Sequence, residues 1–185
     1  HILHGTPIAT NAILEGKGAR VGLLVSEGFK YVLEIARQGM PRLASQHVWV
    51  KPQRPIPPEH IFEIAERISF AGEVITPLDE TAVLDAASRL RDAGIDSIAI
   101  SFIHSYADGA NERRAAELIV QAYPDAHVSL SSEVLPVFRE YERTMTTVLN
   151  AYVMPQVSYY IENLEKELRG RQVQAPLADF FELFT

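Results

Sequence analysis

The chain has 185 residues, 47% of them hydrophobic and 22% charged, with a formal net charge of −7 and no cysteine. The apolar share excludes a disordered chain, and an acidic balance without a basic cluster excludes nucleic acid as the main partner. The lack of cysteine excludes disulfides, thiolate zinc sites and cysteine nucleophiles and sits easily with the cytosol. No apolar run approaches the roughly 18 residues of a membrane span, and no secretory signal is visible.

The chain opens on His1–His4, which reads as the end of an apolar strand entered without an initiator Met, so the sequence is expected to be an internal piece of a longer protein. Gly5 then turns the chain, Thr6 is a good N-cap, and Pro7 suits the first position of a helix that glycines stop at Gly16–Gly18. Arg20–Ser26 reads as a buried strand, and Glu27-Gly28 turns into a short helix from Phe29 to about Arg37. Gly39–Pro58, with Pro41, Pro52, Pro55, Pro57, Pro58 and Trp49, is expected to be a long surface connection, with an extended piece near Val48–Val50. Ile61–Ile75 reads as a β-hairpin turning at Ala71-Gly72, although Ile61, Ile64, Ala65 and Ile68 also fit a helical spacing.

Asp79 is placed to cap a helix whose inner face carries Val83, Leu84, Ala87 and Leu90 and which stops at Gly94. Ile95–Ile103 is the clearest buried strand. A helix from Asp108 or Gly109, with Ala116, Ile119, Val120 and Tyr123 inward, ends at Pro124, and His127–Leu130 is another short strand. The last part is helical, with Tyr141, Met145, Val148, Leu149 and Tyr152 on one face, interrupted or kinked at Pro155 and continued by Val157, Tyr160, Ile161, Leu164 and Leu168. This order predicts an α/β fold: a mixed sheet of Arg20–Ser26, Ile95–Ile103 and His127–Leu130, flanked by the helices at Asp79–Ala93 and Gly109–Tyr123. The expected core holds Leu23, Leu24, Val25, Leu84, Ile98, Ile100, Phe102, Ile119 and Leu149.

Two stretches carry residues suited to chemistry. In HGTPIATNAIL, a helix start after Gly5 offers unpaired N–H groups and a partial positive charge to a phosphate, with Thr6, Thr10 and Asn11 as added polar groups. The same residues also read as an ordinary cap and an exposed helix. In Ser131–Val153, Arg139 and Arg143 stand at i,i+4 spacing and could clamp an anion, with Glu140 as a base or metal ligand. That stretch also reads as a solvated, salt-bridged helix face. The six histidines show no zinc-type spacing, and His104-Ser105 at a strand end is a loop-facing pair. Neither G-x-S-x-G, a Walker-type loop nor G-x-G-x-x-G occurs.

The stretches HGTPIATNAILEGKGARVGLLVSEGFKYVLEIARQ, GEVITPLDETAV, the segment around SFIHSY, and VSLSSEVLPVFREYERTMTTVLNAYVMP resemble, in order and spacing, the N-terminal region of the hydantoinase A/5-oxoprolinase family. The resemblance implies an actin-like, ribonuclease-H-like ATPase lobe over residues 1–170, with 171–185 an atypical tail. It implies ATP and a divalent cation such as Mg as cofactors, with Gly5, Thr6, Thr10 and Asn11 facing the nucleotide or substrate cleft and Arg139, Glu140 and Arg143 near it. It implies hydrolysis of a cyclic amide of hydantoin or 5-oxoproline type through ATP-driven activation of a carbonyl. The alternatives are a lobe of an ATP-dependent ketone carboxylase and a non-catalytic interaction module. A B-type subunit or fused B-region is the implied partner, and the cytoplasm the implied location. The family's Asp-led phosphate loop is expected upstream of the HGT segment, and Pro7 stands where a second Thr is usual, at the cost of a hydroxyl and an N–H.

Overall fold

The computed structural model describes residues 8–37 and 56–170. Expectations for Gly5, Thr6 and Pro7, for the connection around Trp49 and for the 171–185 tail lie outside the described residues. The chain divides into two compact units, one of residues 19–152 and the other joining the segment up to Gly18 with the segment from Val153 onward.

The larger unit is built on strands β1 (Val21–Ser26), β2 (Ile61–Ile64), β5 (Ser97–Ser101) and β6 (His127–Leu130). They form one sheet in the order β2-β1-β5-β6. All three pairings are parallel, with Leu24 opposite Phe62 and Ile100, and Ile98 opposite Val128. The expected α/β fold is observed, with its antiparallel part set apart. β3 (Arg67–Ile68) and β4 (Val74–Thr76) make a separate ribbon that turns through Gly72, whose φ of 87° suits glycine. The hairpin read over Ile61–Ile75 is therefore only its second half, because Ile61–Ile64 pairs with β1 as an edge strand.

Both faces of the sheet are covered, which explains the continuous burial of its two central strands, β1 and β5. On one face Leu24, Ile64, Ile98, Ile100 and Leu130 pack against α3 (Glu80–Asp92) and α4 (Ala110–Ala122). Asp79 caps α3 as expected, accepting from the Ala82 N–H at 3.0 Å. On the other face Val21, Leu23, Val25 and Ala99 meet Leu33 of α2 (Val32–Ile35), Ile56, and Val148 and Ala151 of α6 (Glu140–Gly170). The short α5 (Ser131–Val134) follows β6 directly.

In three helices one residue of the expected inner face lies outward, while the rest of that face packs on the core. Leu84 is 40% exposed, because α3 buries Val83, Ala86, Ala87 and Leu90. In α4 Val120 is exposed, and Glu112, Ala115, Leu118 and Ile119 face inward. Leu149 is 37% exposed, because α6 buries Thr144, Thr147, Val148 and Ala151 against a row of small strand residues. That row is hydrogen-bonded to the helix: Ser97 Oγ donates to the Ala151 carbonyl, Ser101 Oγ meets Thr144 Oγ1 at 2.7 Å, and Asn150 Nδ2 donates to Ser129 Oγ at 3.0 Å. α6 runs through Pro155 without interruption.

In the smaller unit α1 (Ile8–Glu15) ends at Gly16, whose φ of 65° is the left-handed cap anticipated for it. Ala12, Val153 and Val157 are buried, and the Gln156 amide donates to the Lys17 carbonyl.

Candidate functional site

In an open parallel sheet, ligands bind at the carboxyl ends of the strands, where neighbouring strands send their connections to opposite faces. Here that point lies between β1 and β5. The connection after β1 brings Leu33 and Ile56 onto one face, and α4 after β5 covers the other. A buried polar cluster occupies this edge.

Ser26 closes β1 and is fully buried. Its hydroxyl donates to Glu66 and accepts from the Ile103 N–H at 2.8 Å. Glu66 follows β2 and is 2% exposed, and its second oxygen accepts from Asn111 Nδ2 at 2.9 Å. Burial pushes the Glu66 carboxyl above its ordinary range and outweighs the hydrogen bonds from Ser26 and Asn111 and the charge of Arg67, which favour the ionised form.

Glu112 lies in the first turn of α4 with no exposure. One oxygen accepts from the Phe102 N–H at 2.8 Å and from Ser131 Oγ at 2.6 Å, and the other accepts from the Ser132 N–H at 2.8 Å. It ties the ends of β5 and β6 to α4. Gly109 lets this corner close, because a Cβ there would lie 2.7 Å from Ser132 Oγ.

Arg143 is 1% exposed. It donates to the Val137 carbonyl at 2.7 Å and to the Phe102 carbonyl at 2.8 Å, and its guanidinium lies over the Tyr106 ring at 5.6 Å. Its Nε has no hydrogen-bond partner among the described residues. Burial lowers its pKa, and the charges of Glu112 and Glu140 oppose that shift.

His104 stands just past β5 with φ at 59°. Its Nδ1 is 2.8 Å from the Ile68 carbonyl, and its ring meets Tyr106 edge-on at 5.9 Å.

The residues singled out from the sequence are placed as follows. Thr10 and Asn11 are exposed on α1. Arg139 and Glu140 are exposed, and the Arg139 guanidinium lies over Phe138 at 5.8 Å. Arg139 and Arg143 are not brought together as an anion clamp, since Arg143 points inward onto carbonyls. Sequence reasoning missed Ser26, Glu66 and Glu112. A signal was present for Glu112, which stands three residues before Ala115 and seven before Ile119 on the buried stripe of α4.

Residues 1–123 match the model of the hydantoinase/oxoprolinase N-terminal region. The chain belongs to the hydantoinase/oxoprolinase family. This family member is 35% identical over 185 residues to the caprolactamase subunit alpha of Pseudomonas jessenii, covering 96% of the chain and 26% of that relative. It is 32% identical to 5-oxoprolinase 1 of Arabidopsis thaliana, over 85% of the chain and 14% of the relative. Its fold matches the crystal structure of the ATP-dependent caprolactamase from Pseudomonas jessenii with a TM-score of 0.84 over 93% of the chain and 25% of that structure's. A nucleotide-free acetone carboxylase structure matches with a TM-score of 0.76 at 28% identity, over 86% of the chain and 24% of that structure's. The chain thus spans about a quarter or less of the length of these relatives.

Among the described residues no three His, Asp or Glu side chains gather to hold a metal ion, and no helix is long and apolar enough to cross a membrane.

Proposed function

We propose that the chain forms part of the ATP-using lobe of a cytoplasmic cyclic-amide hydrolase, with residues 1–170 as the lobe and 171–185 apart from it. The observation that carries this reading is the likeness to an ATP-dependent caprolactamase over 93% of the chain at 35% identity. ATP would supply the phosphoryl group that activates the amide carbonyl toward water. A divalent cation such as Mg would sit with the phosphates, held by residues other than those described, and a B-type subunit or fused B-region would complete the enzyme. Gly5, Thr6, Thr10 and Asn11 would face the nucleotide or substrate cleft, where the start of α1 favours negative charge. Arg139, Glu140 and Arg143 would be the candidate catalytic residues.

A second reading, a lobe of an ATP-dependent ketone carboxylase, draws support from 32% identity to the acetophenone carboxylase gamma subunit of Aromatoleum aromaticum over 92% of the chain. One experiment separates the two. The full-length protein, with its partner subunit, is given ATP and Mg and offered caprolactam, 5-oxoproline or hydantoin, or else acetone or acetophenone with bicarbonate. Phosphate release that depends on a cyclic amide supports the first reading. Release that depends only on ketone and bicarbonate replaces it with the second.

A further inference from the structure

We propose that His104 is a ligand-binding residue, and that its Nε2 accepts a hydrogen bond from the ring N–H of a cyclic amide held at the β1–β5 crevice. The substrate class rests on the function proposed above.

Position is the first argument. His104 follows β5 at the carboxyl edge of the sheet, at the switch point, and the neighbouring Ile103 N–H is held by Ser26 at the end of β1.

Backbone geometry is the second. A non-glycine residue in the left-handed region costs free energy and persists where its surroundings over-determine it. Here four elements hold the same short stretch. Glu112 of α4 takes the Phe102 N–H, Arg143 of α6 holds the Phe102 carbonyl, Ser26 of β1 takes the Ile103 N–H, and Ser131 of α5 meets Ser105 Oγ at 3.0 Å. Three of these side chains have no exposure and Arg143 has 1%, so the cluster spends buried polar groups on fixing one loop.

The imidazole itself is the third. A carbonyl only accepts, so Nδ1 must carry the proton that reaches Ile68. In the neutral imidazole this leaves Nε2 as an acceptor. No described residue bonds Nε2, and the ring is only partly buried. Its orientation is held from two sides, by Ile68 and by the edge-on Tyr106 ring. An oriented acceptor at a ligand-binding edge selects a donor, and a cyclic amide carries one beside its carbonyl, whereas an N-methylated amide or a ketone does not.

The test uses the full-length protein and diethylpyrocarbonate, which modifies an open imidazole nitrogen, read by peptide mass spectrometry. Caprolactam is expected to protect His104 and N-methylcaprolactam to leave it reactive. His104→Asn keeps a residue tolerant of the left-handed region and an N–H for Ile68, so its melting temperature should stay near that of the parent. Its preference for caprolactam over N-methylcaprolactam should fall roughly tenfold, the worth of one hydrogen bond. Equal modification of His104 with and without caprolactam overturns the inference, even if the enzyme turns cyclic amides over. Protection without any ATP-dependent hydrolysis sustains the inference and removes the function on which its substrate class was based.

Discussion

The Ser97 hydroxyl donates to the carbonyl oxygen of Ala151 at 2.5 Å, inside the buried face between β5 and α6. Ala151 lies four residues before Pro155, the position whose missing N–H leaves that carbonyl without its helical partner. The strand thus supplies the donor that the helix lacks, which is one reason α6 continues through a proline. Ser97→Ala should cost about 1–3 kcal/mol, the penalty for a buried carbonyl left unpaired. In a Pro155→Ala background the helix can serve the carbonyl itself, so the Ser97→Ala penalty should shrink there. Urea unfolding of the four proteins measures this, and strict additivity within about 0.3 kcal/mol would refute the coupling.

Glu112 supports a second prediction. Three donors converge on its carboxylate from two strand ends, and among the described residues only the Ser131 hydroxyl has another possible acceptor, Ser105 Oγ. Glu112→Ala strands the Phe102 and Ser132 N–H groups and should destabilise by about 2–4 kcal/mol. Glu112→Gln keeps the shape and one oxygen but sets an NH2 against a donor, so it should fall between Ala and wild type. Chemical denaturation gives the ranking, and a Gln variant worse than Ala would contradict the assignment of Glu112 as a pure acceptor.

The sheet was legible in the sequence because a parallel sheet covered on both faces needs short apolar runs, and VGLLV of β1 and IAI of β5 are such runs. The inward face of α6 was legible only in its apolar part. Apolar periodicity selected Tyr141, Met145, Val148 and Tyr152, which do pack on the sheet, and Leu149, which does not, because the helix lies on Ser97, Ala99, Ser101 and Ser129, where small residues allow close approach and reward hydroxyls with partners. Thr144 and Thr147 therefore face inward, a choice that hydrophobic spacing scores as outward. The arginine pair shows the same limit. Spacing puts Arg139 and Arg143 on neighbouring turns, but only packing decides that Arg143 is buried against the Phe102 and Val137 carbonyls while Arg139 remains outside. Glu66 was hidden because its ligands, Ser26 and Asn111, lie 40 and 45 residues away in sequence.

Glu66 makes the stability of the fold depend on pH. Its carboxyl titrates higher in the folded chain than in the unfolded one, chiefly because burial disfavours the charge. The folded state therefore binds the proton more tightly. The stabilisation is fully present below the unfolded pKa, near 4.5, and is lost as pH rises through the folded value above it. Glu66→Gln removes this proton linkage, so its stability relative to wild type should improve as pH rises from about 4 toward neutrality. Urea midpoints across that range decide the matter. A relative stability that is flat, or that falls with pH, would mean that Ser26, Asn111 and Arg67 hold Glu66 ionised.

The 185-residue chain by itself is expected to show no ATP-dependent opening of caprolactam, hydantoin or 5-oxoproline. It corresponds to 26% of the caprolactamase alpha subunit and 14% of 5-oxoprolinase 1, so most of each relative's length lies outside the matched part. Phosphoryl transfer depends on positioning and on charges placed around the transferred group, and each loses its worth when half of the surrounding groups are missing. A sheet edge that grips one side of a ligand can still bind it weakly. The expected outcome is therefore measurable protection of His104 by millimolar caprolactam with no release of phosphate above the buffer rate. Sustained phosphate release by the purified chain, dependent on the cyclic amide and absent from a parallel preparation of Glu112→Ala, would show that these 185 residues hold a complete reaction centre.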